Sequence, residues 1–139
     1  MKILRISNLF AFLLAGFLFN SCATLVPTQE QLLKADYGLP ISQQDAQYQA
    51  KNFFDNYLKD PFSAVYQWGV VQTGWVREAP INGARLIYGY ILDVKVNAKN
   101  SFGGYIGYTP YQFVFFNGKI KAIYGQKELS GTPYMGKIY

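Results

Sequence analysis

The stretch LIYGYILDVKVN, residues 86–97, decides the fold, because its side chains alternate with a period of two. One set of alternate positions is apolar throughout: Leu86, Tyr88, Tyr90, Leu92, Val94 and Val96. The other set begins apolar and becomes polar from Asp93 onward. Alternation of this kind predicts a β-strand with one covered face.

A hairpin is predicted downstream of this strand. Residues 111–116 are rich in aromatic side chains, which favour strands. Asn117-Gly118 follows, and this pair is a strong hairpin signal because both positions of a type I′ turn need φ > 0. Residues 119–124 are expected to return antiparallel, and residues 126–139 to form an irregular tail.

An amphipathic helix is predicted upstream. Ser42 followed by Asp45 resembles a capping box. Apolar residues then recur at helical spacing: Ala46, Ala50, Phe53 and Tyr57, with Phe54 and Leu58 widening the stripe. Asp60-Pro61 ends the helix, because the residue before a proline is pushed out of the α region. From Ala64 onward the period is two, and Gly69 and Gly74 indicate a bulge or bend.

These elements predict an α+β fold, with an N-terminal amphipathic helix packed on an antiparallel sheet of about four strands. Phe53 is expected to be a core residue. The predicted domain is residues 42–125, followed by the tail at 126–139. Residues 22–41 form a tether with a possible short helix over 29–34, capped by Thr28.

Residues 1–22 have the arrangement of an export signal. Lys2 and Arg5 precede an uncharged apolar run, residues 9–19, that is too short to cross a bilayer. The run ends in FNSC, residues 19–22, with a small residue before the cysteine. This stretch resembles the lipobox of bacterial lipoproteins. The resemblance implies a signal peptide over residues 1–21, cleavage before Cys22 and lipidation of that cysteine.

The lipobox resemblance also implies a location. Cys22 is the only cysteine, and a lone cysteine in an exported chain calls for an explanation, which lipidation supplies. Several acyl chains on one residue would give a stable membrane anchor. In the sorting rule of lipoproteins, Asp at the next position retains the protein in the inner membrane. Ala23 therefore favours the outer membrane, with the domain on its periplasmic face.

Composition excludes several classes of function. Loss of Lys2 and Arg5 lowers the formal net charge from +5 to +3, which is too weak to indicate a nucleic-acid partner. The chain has no histidine, and lipidation of Cys22 would leave no thiolate, so no metal site is predicted. Its glycines form no nucleotide motif, and no cofactor is predicted.

Two segments, KDPFSA at 59–64 and VNAKNSFGGYIGY at 96–108, stand out together. Their order and spacing resemble a small domain of uncharacterised bacterial exported and phage proteins, over residues 45–124. That resemblance implies no activity. In the second segment, glycines permit a sharp reversal, and Lys99, Asn100, Tyr105 and Tyr108 are the expected binding residues. The alternative is a purely structural β-turn.

The leading hypothesis is therefore a non-enzymatic binding or envelope-assembly module. Its expected partners are the membrane, through the lipid anchor, and an envelope protein or a glycan. A small inhibitor or immunity-type lipoprotein is the alternative. A weak carboxylate-based hydrolase is the third hypothesis, because carboxylates are the only acid–base groups left and eight acidic residues are few.

Overall fold

The computed structural model describes residues 26–139, so the predicted signal peptide, Cys22 and the residues just after it lie outside the described part. Two helices and six strands are seen in that part. They are α1 (Gln29–Leu33), α2 (Gln43–Tyr57), β1 (Val65–Trp68), β2 (Gln72–Arg77), β3 (Leu86–Asn97), β4 (Thr109–Phe116), β5 (Lys119–Leu129) and β6 (Thr132–Lys137). Short 3₁₀ turns cover Pro61–Ser63 and Pro80–Asn82.

The strands form one antiparallel sheet in the order β1-β3-β4-β5-β6, with β2 paired to β3 beside β1. The broad prediction of an α+β chain on an antiparallel sheet is confirmed. The predicted number of about four strands is wrong, since the described residues contain six. Asn117 and Gly118 have φ of 52° and 73°, as their hairpin turn requires.

Two regions account for the additional strands. The long stretch after Ala64 divides into β1 and β2, which pair with successive parts of β3. The C-terminal residues, predicted to be irregular, extend β5 and then form β6 after a turn at Ser130-Gly131. Backbone hydrogen bonding along β5 orders these residues, although most of their side chains are exposed.

The break between β1 and β2 is closed by a helix side chain. Gly69 still donates its backbone N–H to Asp93 of β3, at 2.8 Å. The Gln43 amide then donates to the Gly69 carbonyl at 3.0 Å and accepts from the Val71 N–H at 2.8 Å. The Gln43 side chain therefore supplies hydrogen-bond partners to two backbone groups that have none in the interrupted strand ladder.

Helix α2 begins at the predicted cap, where the Ser42 hydroxyl accepts the Asp45 N–H at 3.0 Å. Its buried residues are Ala46, Ala50 and Phe54. Phe53 is half-buried and contacts the rings of Phe54 and Phe113 from the side of the helix. Phe53 was expected to be a core residue; it packs against the core but is only partly buried, and the fully buried ring of this helix is that of Phe54.

Phe54 lies at the centre of the main core. Its ring centroid is 4.9 Å from that of Tyr111 and 5.4 Å from that of Phe113, both edge to face. The rest of this buried cluster comes from α2 and from one face of the sheet: Ala46, Ala50, Leu92, Val94, Val96, Phe115 and Ile123. Helix α2 thus covers one face of the sheet.

The opposite face of the sheet holds a smaller buried cluster of Ile91, Val114, Ala122 and Tyr124. Val76 and Ile87, from the β2–β3 hairpin, pack against it. A Cβ atom at Gly89 would lie 2.3 Å from the Phe115 carbonyl oxygen, so β3 passes β4 at a distance that only glycine allows. The end of the β2–β3 hairpin thus helps to cover the second face.

Neither helix in the described part of the chain has the length and apolarity that a membrane crossing needs.

We predict that Phe54→Ala lowers the free energy of unfolding by about 3–5 kcal/mol, because it opens a cavity at the centre of the core. Phe53→Ala is the matched control and should cost clearly less, since the Phe53 side chain is only half-buried. Urea unfolding followed by circular dichroism measures both. Equal losses for the two variants would contradict this description of the core.

Candidate functional site

The connection from β3 to β4, residues 98–108, is an ordered loop. Lys99 and Tyr105 form an isolated antiparallel bridge at its base. Within the turn, the Asn100 side-chain oxygen accepts the N–H groups of Phe102 at 2.9 Å and Gly104 at 3.1 Å. Gly103 adopts φ of 79°, the left-handed conformation that the reversal needs. The Asn100 side-chain oxygen therefore holds the turn together.

A second contact joins this loop to the turn that follows α2. The Lys99 N–H donates to the Ser63 hydroxyl at 2.9 Å, and the Tyr105 hydroxyl donates to the Ser63 carbonyl at 3.0 Å. Asp60 caps that turn by accepting the Ser63 N–H at 3.3 Å. The two segments singled out in the sequence thus meet in space, with Ser63 between them.

The four residues predicted to bind a partner have different surroundings. The Lys99 ammonium lies 5.7 Å from the centre of the Tyr105 ring, a cation–π distance. Tyr105 and Tyr108 are partly exposed, at 52% and 43%. Lys99, Asn100 and Tyr105 are therefore engaged in contacts within the loop or with Ser63, and the Tyr108 side chain makes no hydrogen bond within residues 26–139.

Sequence reasoning missed the most exposed apolar side chains of this region. Phe62 is fully exposed, Phe102 is 97% exposed and Ile106 is 72% exposed. Phe62 directly precedes Ser63, so its ring lies at the same end of the molecule as the loop. We call Phe62, Phe102, Tyr105, Ile106 and Tyr108 the distal patch. A bulky aromatic residue between a turn asparagine and Gly103-Gly104 was the available signal for Phe102.

Beside the distal patch, a cleft of about 220 Å³ separates the loop from the end of α2. Its walls include Tyr57, Lys59, Asn100, Ile106 and Tyr111. Burial, with a smaller contribution from Tyr57, raises the pKa of Tyr111 to about 12. At neutral pH the cleft therefore presents a neutral phenol, with a lysine at its rim.

The distal patch lies at the opposite end of α2 from the chain's entry into the domain. The Leu39 N–H donates to the Asn117 side chain at 2.9 Å, and the Gln49 amide donates to the Gly118 carbonyl at 2.8 Å. The segment before α2 therefore contacts the β4–β5 turn at Leu39, and the helix ends beside the loop. Its 15 residues span about 22 Å, which separates the two ends.

We predict that Asn100→Ala speeds amide hydrogen exchange at Phe102 and Gly104 by about tenfold, because each amide loses its acceptor. Exchange measured by NMR tests this. Ser101→Ala is the matched control, since the exposed Ser101 side chain makes no hydrogen bond within the described residues. Unchanged rates in Asn100→Ala would show that the turn does not depend on this side chain.

The arrangement of acidic side chains in the described residues is relevant to metal binding and to hydrolysis. Among residues 26–139, no group of three or more Asp, Glu, Cys or His side chains is arranged to hold a metal. Glu78 and Asp93 line different clefts on the second face of the sheet. Searches against family models, curated proteins and solved structures find no match for this chain.

Proposed function

We propose that this protein is a lipoprotein, anchored at the periplasmic face of the outer membrane, that binds another envelope protein through the distal patch. The observation that carries the proposal is the almost complete exposure of Phe62 and Phe102 beside a well-ordered loop. Large apolar side chains clustered at a surface are typical of interaction sites.

Rigidity of the loop supports this function. A surface that is already ordered loses little conformational entropy when a partner binds. The Asn100 and Ser63 side chains supply that order, because their oxygens accept backbone N–H groups of the loop at 2.9–3.1 Å. Lys59 and Lys99 lie beside the patch, which gives an apolar centre with a polar rim, as in protein interfaces.

The position of the patch fits a protein that is tethered through Cys22. The N-terminal segment lies beside β2 and β3 at Leu32 and Tyr37 and contacts the β4–β5 turn at Leu39, whereas the patch lies at the far end of α2. We infer that the anchored domain presents the patch toward the periplasm. A partner there would be reached without contact between the patch and the protein's own membrane.

An inhibitor or immunity-type lipoprotein is the second proposal, because a rigid loop with exposed Phe102 could also fill the cleft of an incoming enzyme. Both proposals use the same patch, and the identity of the partner separates them. The hydrolase hypothesis receives less support, since a carboxylate pair about 5–10 Å apart would be required. Glu78 and Asp93 face separate clefts instead.

We predict that Cys22→Ser abolishes incorporation of radiolabelled fatty acid into the protein. Cysteine acylation is the only chemistry in the proposal that this change removes. Ala23→Asp is the companion variant, which should stay labelled but move toward the inner membrane on a density gradient of a diderm host. Equal labelling of the wild type and Cys22→Ser would refute the anchor.

We predict that Phe102→Ser and Phe62→Ser reduce crosslinking of the full-length lipoprotein to its partner in intact envelopes, while the melting temperature stays nearly unchanged. Both side chains are exposed, so their removal costs little stability. Crosslinked products are recovered by pull-down and identified by mass spectrometry.

Leu39→Ser provides the control for this experiment, because Leu39 is also an exposed apolar residue, at 69%, but lies at the other end of α2. Its crosslinks should match those of the wild type. Partner recovery that falls equally in all three variants, or in none, would count against the distal patch as the binding surface.

A further inference from the structure

Three cations line one cleft beside the turn that joins β2 to β3. The cleft measures about 310 Å³, and Arg85, Lys121 and Lys137 lie around it together with Glu78. All three cationic side chains are exposed. We call Arg85, Lys121 and Lys137 the basic surface. It takes no part in the partner binding proposed above.

Contacts from the protein side hold two of these cations in place without burying them. The Glu78 carboxylate accepts the Arg85 Nε–H at 2.9 Å, and its own side chain is only 6% exposed. The Arg85 side chain is 76% exposed despite this ion pair. The Lys121 ammonium lies 4.3 Å from the centre of the Phe116 ring, a cation–π distance. The basic surface is therefore positioned by the fold and accessible from outside.

The net charge of the predicted mature chain is concentrated in this region. A neighbouring cleft of about 270 Å³ shares Glu78 and Lys137 with the first and adds Arg77 and Tyr124. The residues around the two clefts thus include four cations and one carboxylate. This excess equals the whole formal charge of residues 22–139, in which the other seven cations and seven acidic residues balance. A chain of modest total charge therefore has one strongly basic region.

The basic surface lies next to the segment through which the chain enters the domain. A Cβ atom at Gly38 would lie 2.9 Å from the Phe116 ring, which is the ring that Lys121 contacts. Tyr37 packs edge to face on Tyr88 near the start of β3, with 5.8 Å between the ring centroids. The entry segment and the basic surface are therefore neighbours at the N-terminal end of β3.

Strand β3 separates the basic surface from the distal patch. Arg85 directly precedes this strand, and the loop at residues 98–108 follows it. The 12 residues of β3 span about 40 Å at ~3.4 Å per residue. The two surfaces thus lie at opposite ends of one strand, so a large flat partner at one end leaves the other end free.

We propose that the basic surface rests on anionic phospholipid headgroups of the membrane that holds the protein. The inference rests on the proposed anchor at Cys22, which places a membrane near the entry segment. Residues 23–25 separate Cys22 from Val26, and Pro27 is already buried. An extended chain covers about 14 Å from Cys22 to Val26, which is comparable with the Debye length of ~8 Å at physiological salt. The headgroups are therefore close enough for surface charge to act on the domain.

A lipid surface suits this arrangement better than a single small anion does. Arg85 comes from the turn before β3, Lys121 from β5 and Lys137 from β6, so the charges are spread over three elements. A membrane presents many phosphates to such an array, and each exposed cation adds to the attraction. This attraction would also orient the domain, because the distal patch at the other end of β3 would point away from the membrane.

Amine labelling of the full-length protein purified from envelopes tests this contact. The protein is inserted into vesicles of phosphatidylcholine, with or without added phosphatidylglycerol, and labelling of each lysine is followed by mass spectrometry. With phosphatidylglycerol, Lys121 and Lys137 should be labelled about fivefold more slowly, and about 0.5 M salt should remove the difference. Lys59 and Lys99, beside the distal patch, are internal controls that should be labelled equally in both vesicles.

Lys121→Glu should return the labelling of Lys137 in phosphatidylglycerol to the rate seen in phosphatidylcholine. Lys95→Glu is the matched control, since Lys95 is also exposed but lies about 30 Å further along β3 than Leu86. It should leave Lys137 protected. The salt dependence is measured on the wild type, so it remains decisive if a variant fails to fold.

Three results would overturn the proposal. Lys121 and Lys137 could be labelled equally in both vesicles, as they would be if the partner were an acidic protein. Their protection could persist in high salt or in Lys121→Glu. Inorganic phosphate alone could protect them in phosphatidylcholine, which would indicate a discrete anion site. Fatty-acid incorporation at Cys22 and crosslinking of the distal patch use other readouts, so failure of this contact is distinguished from failure of the proposed function.

Discussion

The hydrogen-bonded ladder of β3 is the constraint on which the rest of the protein depends. β1 and β2 share one edge of this strand and β4 takes the other, so four of the six described strands meet there. The two faces of β3 contribute to different buried clusters. Leu92 and Val94 belong to the main core under α2, and Ile91 belongs to the smaller cluster on the opposite face. The loop at residues 98–108 follows the C-terminal end of β3. The buried Glu78 follows the strand that pairs with its N-terminal half. The loop at residues 98–108 and the buried Glu78 are thus both connected to this strand.

The sequence predicted this central strand and its hairpin because burial of one or both faces leaves a strong pattern. Alternation over residues 86–97 marks β3, and Asn117-Gly118 marks the turn after β4 through its demand for positive φ. The helix could also be predicted from the sequence, but the face that it buries could not. Phe53 and Phe54 are adjacent and both fit an apolar stripe, so only the position of Phe113 and Tyr111 decides which ring is central.

The edge strand β6 and the exposed side chains of the candidate site were harder to predict, for physical reasons. β6 is an edge strand with mostly exposed side chains, and such a strand produces no alternation of apolar and polar residues. The loop was recognised, yet Phe62 and Phe102 were not, because exposure of an aromatic side chain depends on tertiary packing. Glu78 and Tyr124 lie far apart in the chain and line one cleft because the end of the β2–β3 hairpin lies close to β5 and β6. No local sequence motif predicts that these two residues line the same cleft.

The pairing of β1 with the far end of β3 has a consequence for how the chain folds. Val65 pairs with Asn97, so the first strand can join the sheet only when the chain through the end of β3 is present. Until then the apolar side of α2 has nothing to cover it. Loop closure over such a separation costs entropy before any contact is gained, which slows folding. A chain that emerges N-terminus first would therefore expose the face around Phe54 until β3 and β4 arrive, and this interval is when aggregation competes with folding.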